Sequence, residues 1–157
     1  MTNATDGANV RFPPPLIYVG GLAVGIGADR LLNLPTLGLP IMIRSIVGGS
    51  LDVTGFLVMF AGAGLFLRRR TAILPFKPAS SLVTSGILRW TRNPMYLGMA
   101  IFYVGLAVIL NSLAALILLP LVLAIVQKQV IAKEEAYLER AFGHEYLAYK
   151  ERVGRWL

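Results

Sequence analysis

The fold is decided by residues 94–126, PMYLGMAIFYVGLAVILNSLAALILLPLVLAIV, which contain no charged side chain. One straight helix over this range would be ~50 Å long at ~1.5 Å per residue, whereas the apolar core of a bilayer is ~30 Å thick. Asn111-Ser112 lies in the middle and offers a turn. The segment therefore predicts a helical hairpin, with arms at 94–110 and 113–132, whose outer ends return to one side of a membrane. We expect Pro120 to kink the second arm or loosen its hydrogen bonding.

Two apolar blocks precede the hairpin. The first runs from Leu16 to Leu34 and the second from Ile46 to Leu67, with a short loop over residues 35–44. Each block is long enough for the ~20 residues that one crossing requires. We therefore predict an all-α integral membrane protein with four transmembrane helices, followed by short cytoplasmic helices near the end of the chain. Residues 1–15 are expected to form a flexible tail, residues 16–67 the two N-terminal spans, and the whole chain one domain.

The composition supports a membrane protein and excludes several classes of site. Of the 157 residues, 56% are hydrophobic and the mean hydropathy is +0.68, which is too apolar for an ordinary soluble domain. No cysteine is present, so disulfides, thiolate metal sites and cysteine nucleophiles are excluded. The single histidine, His144, argues against a histidine-based metal cluster, and we assign it no role.

The positive charge is distributed in a way that predicts topology. The chain carries a net charge of +7, and no acidic residue lies between Asp52 and Glu134. These cations flank apolar spans, so the positive-inside rule explains them better than nucleic-acid binding does, with anionic lipid headgroups as a secondary partner. Arg68-Arg69-Arg70 stops the second span and marks the cytoplasmic side, which places both termini in the cytoplasm. Other cations of this stretch are Lys77, Arg89, Arg92, Lys128 and Lys133.

Glycines recur at regular intervals in the two N-terminal spans. Gly21 and Gly25 form a small-xxx-small pair, and Gly48, Gly55 and Gly62 recur every seven residues. Such glycines allow helix backbones to approach closely. Packing within one subunit is the preferred interpretation, and formation of a homodimer is the alternative.

Polar residues with useful chemistry lie at both outer ends of the hairpin. Asn93-Pro94 is a favourable helix start, since Asn is a preferred N-cap and Pro a preferred first residue. A helix N-terminus also binds anions, and Arg92 adds positive charge there. Glu134-Glu135 follows the last span; it is either a solvated helix face or an acidic pair that holds an ammonium or sulfonium group.

Other polar residues have structural interpretations. We expect Asp52 to cap its helix or pair with Arg44, and Asp29 and Arg30 to reach the interface. Gly143 is a plausible helix stop before a final short helix over 144–153. The aromatic residues near the end of the chain are expected to anchor the membrane interface, with one tyrosine as a candidate pocket residue; they are Tyr137, Tyr146, Tyr149 and Trp156.

Three blocks in a fixed order resemble a known superfamily. They are Leu82-Val83-Thr84-x-Gly86, then Arg92-Asn93-Pro94-Met95-Tyr96-Leu97-Gly98, then Glu134-Glu135 with Leu138, Phe142-Gly143-x-Glu145-Tyr146, Tyr149, Val153 and Arg155. This arrangement resembles the isoprenylcysteine carboxyl methyltransferases, whose superfamily includes phospholipid N-methyltransferases. The resemblance covers residues 75–157, which are therefore expected to form the catalytic region. Asn93 stands where eukaryotic prenylcysteine enzymes usually have His, and this leaves the methyl acceptor open.

The resemblance implies a membrane methyltransferase of the bacterial type, placed in the inner membrane, that uses S-adenosylmethionine. Carried over, it implies catalytic roles for Arg92 and Glu135. Cofactor-binding residues would be Arg92, Asn93, Tyr96, Leu97, Gly98, Glu134 and Glu135, with Tyr146, Tyr149, Arg152 and Arg155 as second candidates. Arg92 suits the cofactor's carboxylate and either glutamate suits its ammonium. No metal is implied.

Two other functions are compatible with the pattern. Sterol reductases share part of the superfamily's C-terminal architecture and use NADPH, although this chain is short for one. A small non-enzymatic membrane protein or transporter is the other alternative; it is supported by the glycine-rich first half, but the spans lack the buried charges that transport usually requires. The leading hypothesis remains methyl transfer to a lipidic or amphipathic acceptor, a carboxylate or an amine.

Overall fold

The computed structural model describes residue 10 and residues 13–68 and 81–157, and within these ranges the chain forms helices and no strand. A 3₁₀ turn at Gly86–Arg89 precedes α3, and a π-helical turn at Gln127–Ile131 joins α4 to α5. The α-helices are α1, Pro14–Leu31; α2, Ile41–Arg68; α3, Pro94–Ile109; α4, Leu113–Val126; and α5, Ala132–Arg152.

The predicted hairpin is confirmed as α3 and α4. Its turn depends on Asn111, which adopts a positive φ of 59°, a conformation that Asn tolerates better than most residues. Ser112 caps α4 by accepting a hydrogen bond from the backbone N–H of Ala115 at 3.2 Å. These local preferences explain why the uncharged stretch folds back at its middle.

The second arm continues beyond the predicted span. The α4 helix continues through Pro120, where the kink or loosened hydrogen bonding stays a prediction, and a π-helical turn follows at Gln127–Ile131. Residues Leu113–Arg152 form a helical path that bends at Gly143, and this path and α2 each contain an apolar window long enough to cross a membrane. The α3 helix is a shorter apolar helix. Two candidate spans are therefore established, and the number of four remains a prediction.

Several helix boundaries differ from the prediction. The α1 helix begins at Pro14 rather than Leu16, because proline is well suited to the first helical turn, where its missing N–H has no intrahelical partner. The α2 helix begins at Ile41, so the preceding loop is shorter than expected. Residues 69–80, which contain two of the three arginines in the predicted cytoplasmic marker and Lys77, lie outside the described residues, as does most of the predicted tail.

The glycines bring helices of one chain together, as the preferred interpretation predicted. A Cβ added at Gly55 would lie 2.6 Å from the carbonyl oxygen of Gly98, and one at Gly48 would lie 2.7 Å from that of Gly105. The α2 helix therefore packs backbone to backbone on α3. In α1, Gly25 approaches the backbone of Ala115 in the same way. The hairpin lies between α1 and α2, with α1 mainly against α4.

Polar contacts tie the helices together at the turn end of the hairpin. Asp29 of α1 accepts hydrogen bonds from the Ser112 hydroxyl and from the backbone N–H of Ala114, the latter at 3.1 Å, so it caps α4 and does not simply extend to the interface. The predicted Asp52–Arg44 pair is wrong. Arg44 donates to the carbonyl of Ile109 at 3.2 Å, and Asp52 lies against Gly105.

Replacing Gly55 with Ala tests the close packing of α2 on α3. The new methyl would collide with backbone atoms that cannot move independently, namely the Gly98 oxygen and the Phe102 nitrogen at 2.7 Å. Overpacking of this kind costs ~1–3 kcal/mol, so the thermal midpoint in detergent should fall. Gly49→Ala is the matched control, because nothing lies within 4 Å of that position. Equal thermal midpoints for Gly55→Ala and Gly49→Ala would contradict the close packing of α2 on α3.

Candidate functional site

The segment before α3 is held in place by the segment that follows α5. The backbone N–H of Arg92 donates to the carbonyl of Gly154 at 3.0 Å, and the buried Thr91 hydroxyl donates to the carbonyl of Arg155 at 3.3 Å. Asn93 occupies the N-cap position of α3, but its side chain does not cap the helix. Its Nδ2 instead donates to the Arg155 carbonyl at 2.9 Å. The simple helix-start interpretation is therefore wrong for the Asn93 side chain.

Glu135 is the centre of the charged cluster. Its carboxylate accepts two hydrogen bonds from Arg155, at 2.8 Å from Nε and 2.6 Å from Nη2, and forms an ion pair with Arg92 Nη1 at 3.1 Å. The side chains of Glu135 and Arg92 are each only 8% exposed. A bidentate arginine–carboxylate pair of this kind fixes geometry as well as charge. Glu135 thus links three separate parts of the chain: the start of α3, helix α5 and the segment after α5.

The protonation state of Glu135 follows from these partners. Burial alone would raise the pKa of Glu135, but the hydrogen bonds from Arg155 and the positive charges of Arg92 and Arg155 outweigh it and hold the pKa below its ordinary value. The carboxylate is therefore ionised at neutral pH, and its charge is already balanced by the two arginines.

Glu134, the neighbouring residue, has a different environment. Its Oε1 accepts a hydrogen bond of 2.7 Å from the hydroxyl of Tyr96, which lies in the first turn of α3. Among the described residues it pairs with no arginine or lysine. Burial raises the pKa of Glu134 to about 7; the hydrogen bond from Tyr96 opposes this shift and the negative charge of Glu135 adds to it. Glu134 is therefore an acid whose charge is not balanced by a nearby cation.

The tyrosines of α5 line the interior rather than the interface. The hydroxyl of Tyr146 accepts a hydrogen bond of 3.2 Å from Arg92 Nη1, and that of Tyr149 donates to the Leu88 carbonyl at 2.7 Å. Both side chains are buried, as is Tyr137. Tyr146 and Tyr149 can reach inward because the helix path breaks just before them at Gly143, which has a φ of 49° and confirms the predicted stop. The prediction that these tyrosines anchor the interface is wrong for Tyr146 and Tyr149.

Some predicted site residues lie away from the cluster. Gly98 faces α2, where it meets Gly55 and Met59, so it is a packing glycine. Leu97 is half-buried and its backbone closes the first turn of α3. Arg152 is exposed and bonds to its own helix through the Ala148 carbonyl, and His144 is exposed. Among the predicted site residues, the structure gathers Arg92, Asn93, Tyr96, Glu134, Glu135, Tyr146 and Arg155.

Other residues of the site were missed by sequence reasoning. Tyr18 of α1 donates its hydroxyl to the Tyr96 carbonyl at 2.9 Å, and Trp156 donates to Gln127 Oε1 at 3.3 Å. Tyr18 lies outside the motif region. Its position within an apolar span was the available signal for a polar contact, since a buried tyrosine hydroxyl usually finds a partner. No sequence signal predicted that Thr91 and Gly154 would bind the two ends of the motif region together.

The cluster contains a buried donor without a partner and, on α5, an acid that pairs with no cation among the described residues. Arg92 Nε is buried and has no hydrogen-bond partner among the described residues. Buried donors rarely remain unpaired, so this nitrogen marks a position where an anionic group can bind. Glu134, next to Glu135 on α5, can attract a cationic group. A molecule that carries a carboxylate and an ammonium group, as a free amino acid does, matches this donor and acceptor set.

The family comparison agrees with this arrangement. Residues 43–145 match the family model described as phospholipid methyltransferase. Since this match covers most of the chain, the protein belongs to the phospholipid methyltransferase family. The described motif residues from Arg92 to Gly98 and the Glu134-Glu135 pair all lie inside the matched range.

Individual relatives carry the related carboxyl methyltransferase name. The chain is 39% identical over 72 residues to protein-S-isoprenylcysteine O-methyltransferase of Schizosaccharomyces pombe, covering 46% of this chain and 30% of that protein. It is 36% identical over 73 residues to the Homo sapiens protein of the same name, covering 46% and 26%. An uncharacterized protein of Haemophilus influenzae is 55% identical over 47 residues, covering 30% and 73%. No solved structure matches the chain.

The matches to the named enzymes are partial. The chain spans about a third or less of the length of these O-methyltransferases. The similarity therefore supports the superfamily and the position of the motif region, and the substrate is a matter for proposal.

Proposed function

We propose that this protein transfers a methyl group from S-adenosylmethionine to a lipidic or amphipathic acceptor. The family and the names of its relatives support methyl transfer to an acceptor of this type. The observation that carries the proposal is that two consecutive residues of α5 contact the motif: Glu135 pairs with Arg92, whose Nε has no partner among the described residues, and Glu134 accepts a hydrogen bond from Tyr96. The cofactor's amino-acid end has a carboxylate and an ammonium group, so its charges fit Arg92 and Glu134.

Each residue of the cluster has a distinct role in this proposal. Arg92 binds the cofactor's carboxylate, and Glu134 attracts its ammonium group. Glu135 acts through Arg92: its charge is taken up by two arginines, so it orients Arg92 and does not bind the ammonium itself. Tyr96 holds the Glu134 carboxylate by a hydrogen bond. Sequence reasoning gave Glu135 a catalytic role and left open which glutamate contacts the cofactor; their different partners support assigning the ammonium group to Glu134.

The chemistry needs positioning more than reactive side chains. When bound, S-adenosylmethionine supplies an electrophilic methyl group for direct displacement. The chain contributes orientation and the exclusion of water, which can account for a large part of a rate enhancement. A carboxylate acceptor is already ionised at neutral pH, whereas an amine acceptor must first lose a proton. Both acceptor classes remain within the proposal.

The distribution of positive charge also supports an orientation of the protein in the membrane. We propose that the site lies at the cytoplasmic face, with both termini on that side, in a bacterial inner membrane. The cations on either side of the uncharged hairpin support this orientation. A homodimer is compatible with the fold, but Gly25, Gly48 and Gly55 do not argue for one, because each packs within the chain.

The alternative functions receive less support. A reductase would bind NADPH, and the family match favours methyl transfer instead. A transporter would require polar groups along its spans, and the polar cluster described above lies at the end of the hairpin.

Cofactor binding by the purified protein in detergent tests the proposal. S-adenosylhomocysteine should raise the thermal midpoint and NADPH should not. Arg92→Ala should weaken binding of S-adenosylhomocysteine at least ~tenfold, because a hydrogen bond to a charged group contributes ~1.5–3 kcal/mol. Arg89→Ala is the matched control, since Arg89 is exposed and lies three residues earlier. A midpoint raised by NADPH alone would refute methyl transfer, and wild-type affinity in Arg92→Ala would mean that the pocket is elsewhere.

The pH dependence of S-adenosylhomocysteine binding tests the role of Glu134. Its pKa is raised to about 7, and only the ionised form attracts an ammonium group. Affinity should therefore increase as the pH rises through 7 and decrease, by up to ~tenfold per pH unit, below it. Glu134→Gln should bind weakly with no such dependence. Tyr96→Phe should shift the pH midpoint of this binding change to a higher pH, because the Tyr96 hydrogen bond lowers the Glu134 pKa.

A substitution at an exposed position of α5 is the control for this profile. His144→Asn should keep the wild-type pH profile, because His144 lies away from the cluster. If turnover varied with pH while the dissociation constant did not, Glu134 would act on the acceptor rather than on the cofactor.

A further inference from the structure

We propose that Asn93 is a positioning residue, which holds the segment Val153–Leu157 so that Arg155 and Glu135 orient Arg92. This segment is called the strap. The proposal rests on the function proposed above for Arg92, and it adds a role that differs from both cofactor binding and helix capping.

The strap is fixed to the start of α3 by consecutive residues. Thr91 and Asn93 donate side-chain hydrogen bonds to the Arg155 carbonyl, and the Arg92 N–H donates to the Gly154 carbonyl. The Asn93 bond is the shortest of the three, at 2.9 Å. Val153 is extended, with φ −127° and ψ 129°, so the chain has left α5 before these contacts form.

The contacts close a ring around Arg92. The backbone of Arg155 is bound by Asn93, while the side chain of Arg155 binds Glu135 through both carboxylate oxygens. Glu135 in turn pairs with Arg92 Nη1, and Arg92 is the residue next to Asn93. Displacing the Arg155 backbone would therefore move the bidentate pair and remove one of the constraints on the Arg92 guanidinium. Arg92 Nη1 also donates to Tyr146, so these contacts fix the orientation in which the guanidinium presents Nε.

The side-chain chemistry at position 93 separates this role from helix capping. A cap must accept a hydrogen bond from the helix, and Asp, Ser and Asn all do this well. The strap contact requires a donor, because its partner is a carbonyl oxygen. Asp in its ionised form cannot donate, and Ser is too short to make the same contact. Histidine is a poor cap, but its ring carries an N–H in every protonation state.

The first experiment measures the strap without any cofactor. The chain has no cysteine, so Leu157→Cys, at a position 87% exposed, accepts a single nitroxide label with no background. In full-length protein in detergent, the label should become clearly more mobile in Asn93→Asp and Asn93→Ser and keep its wild-type spectrum in Asn93→His. Asn33→Asp, at an exposed asparagine two residues beyond the end of α1, is the matched control and should not change the spectrum.

The second experiment measures the consequence for the site. Asn93→Asp and Asn93→Ser should raise the KM for S-adenosylmethionine at least ~tenfold, with kcat reduced less than about threefold, and Asn93→His should restore the KM. Loss of folded protein would instead lower kcat at constant KM. Equal label mobility in all variants, or a His variant as defective as the Asp variant, would overturn the proposal.

The two experiments distinguish failure of this inference from failure of the proposed function. If wild-type protein bound no S-adenosylhomocysteine, the proposed function would fall, while the label spectra would still decide whether Asn93 holds the strap. If wild-type protein bound the cofactor and the Asp and Ser variants bound it equally well, only the positioning role would be refuted.

Discussion

The carboxylate of Glu135 joins three parts of the chain that are distant in sequence. It binds Arg92 before α3 and Arg155 after α5, from a position in the first turn of α5. Removing one partner from a buried ion pair costs roughly 3–5 kcal/mol, because the other charge remains desolvated. The polar site is therefore tied to the fold itself, since the same contact that closes the end of the hairpin also orients Arg92.

Two irregularities in the long C-terminal helical path place Glu135 and the tyrosines where they are needed. The π-helical turn at Gln127–Ile131 follows the apolar part of α4, and an inserted residue rotates later positions by ~100° relative to an uninterrupted α-helix. Gly143 then adopts a positive φ and redirects the path, so that Tyr146 reaches Arg92 before α3 and Tyr149 reaches Leu88 in the 3₁₀ turn. Such interruptions of a regular helix are common at functional sites.

Sequence reasoning predicted what depends on local pattern. The hairpin followed from an uncharged stretch too long for one span, and the glycine spacing predicted helix packing within the chain. From the motif, sequence reasoning also assigned Arg92, Tyr96 and the two glutamates to one site. It did not predict their partners: Asn93 is a typical cap by residue type, yet its amide bonds to a carbonyl 62 positions away. Contacts of this kind depend on how the strap folds back onto the hairpin. No periodic pattern in the sequence indicates that path.

An assay of methyl transfer tests directly whether the protein methylates a lipidic acceptor. Purified protein, methyl-labelled S-adenosylmethionine and a membrane extract are incubated, and label is counted in the fraction soluble in organic solvent. We expect label in that fraction with wild-type protein and with Arg89→Ala, and its loss with Arg92→Ala. Label absent with wild-type protein that binds S-adenosylhomocysteine would contradict a lipidic acceptor, and equal labelling by wild type and Arg92→Ala would contradict the site.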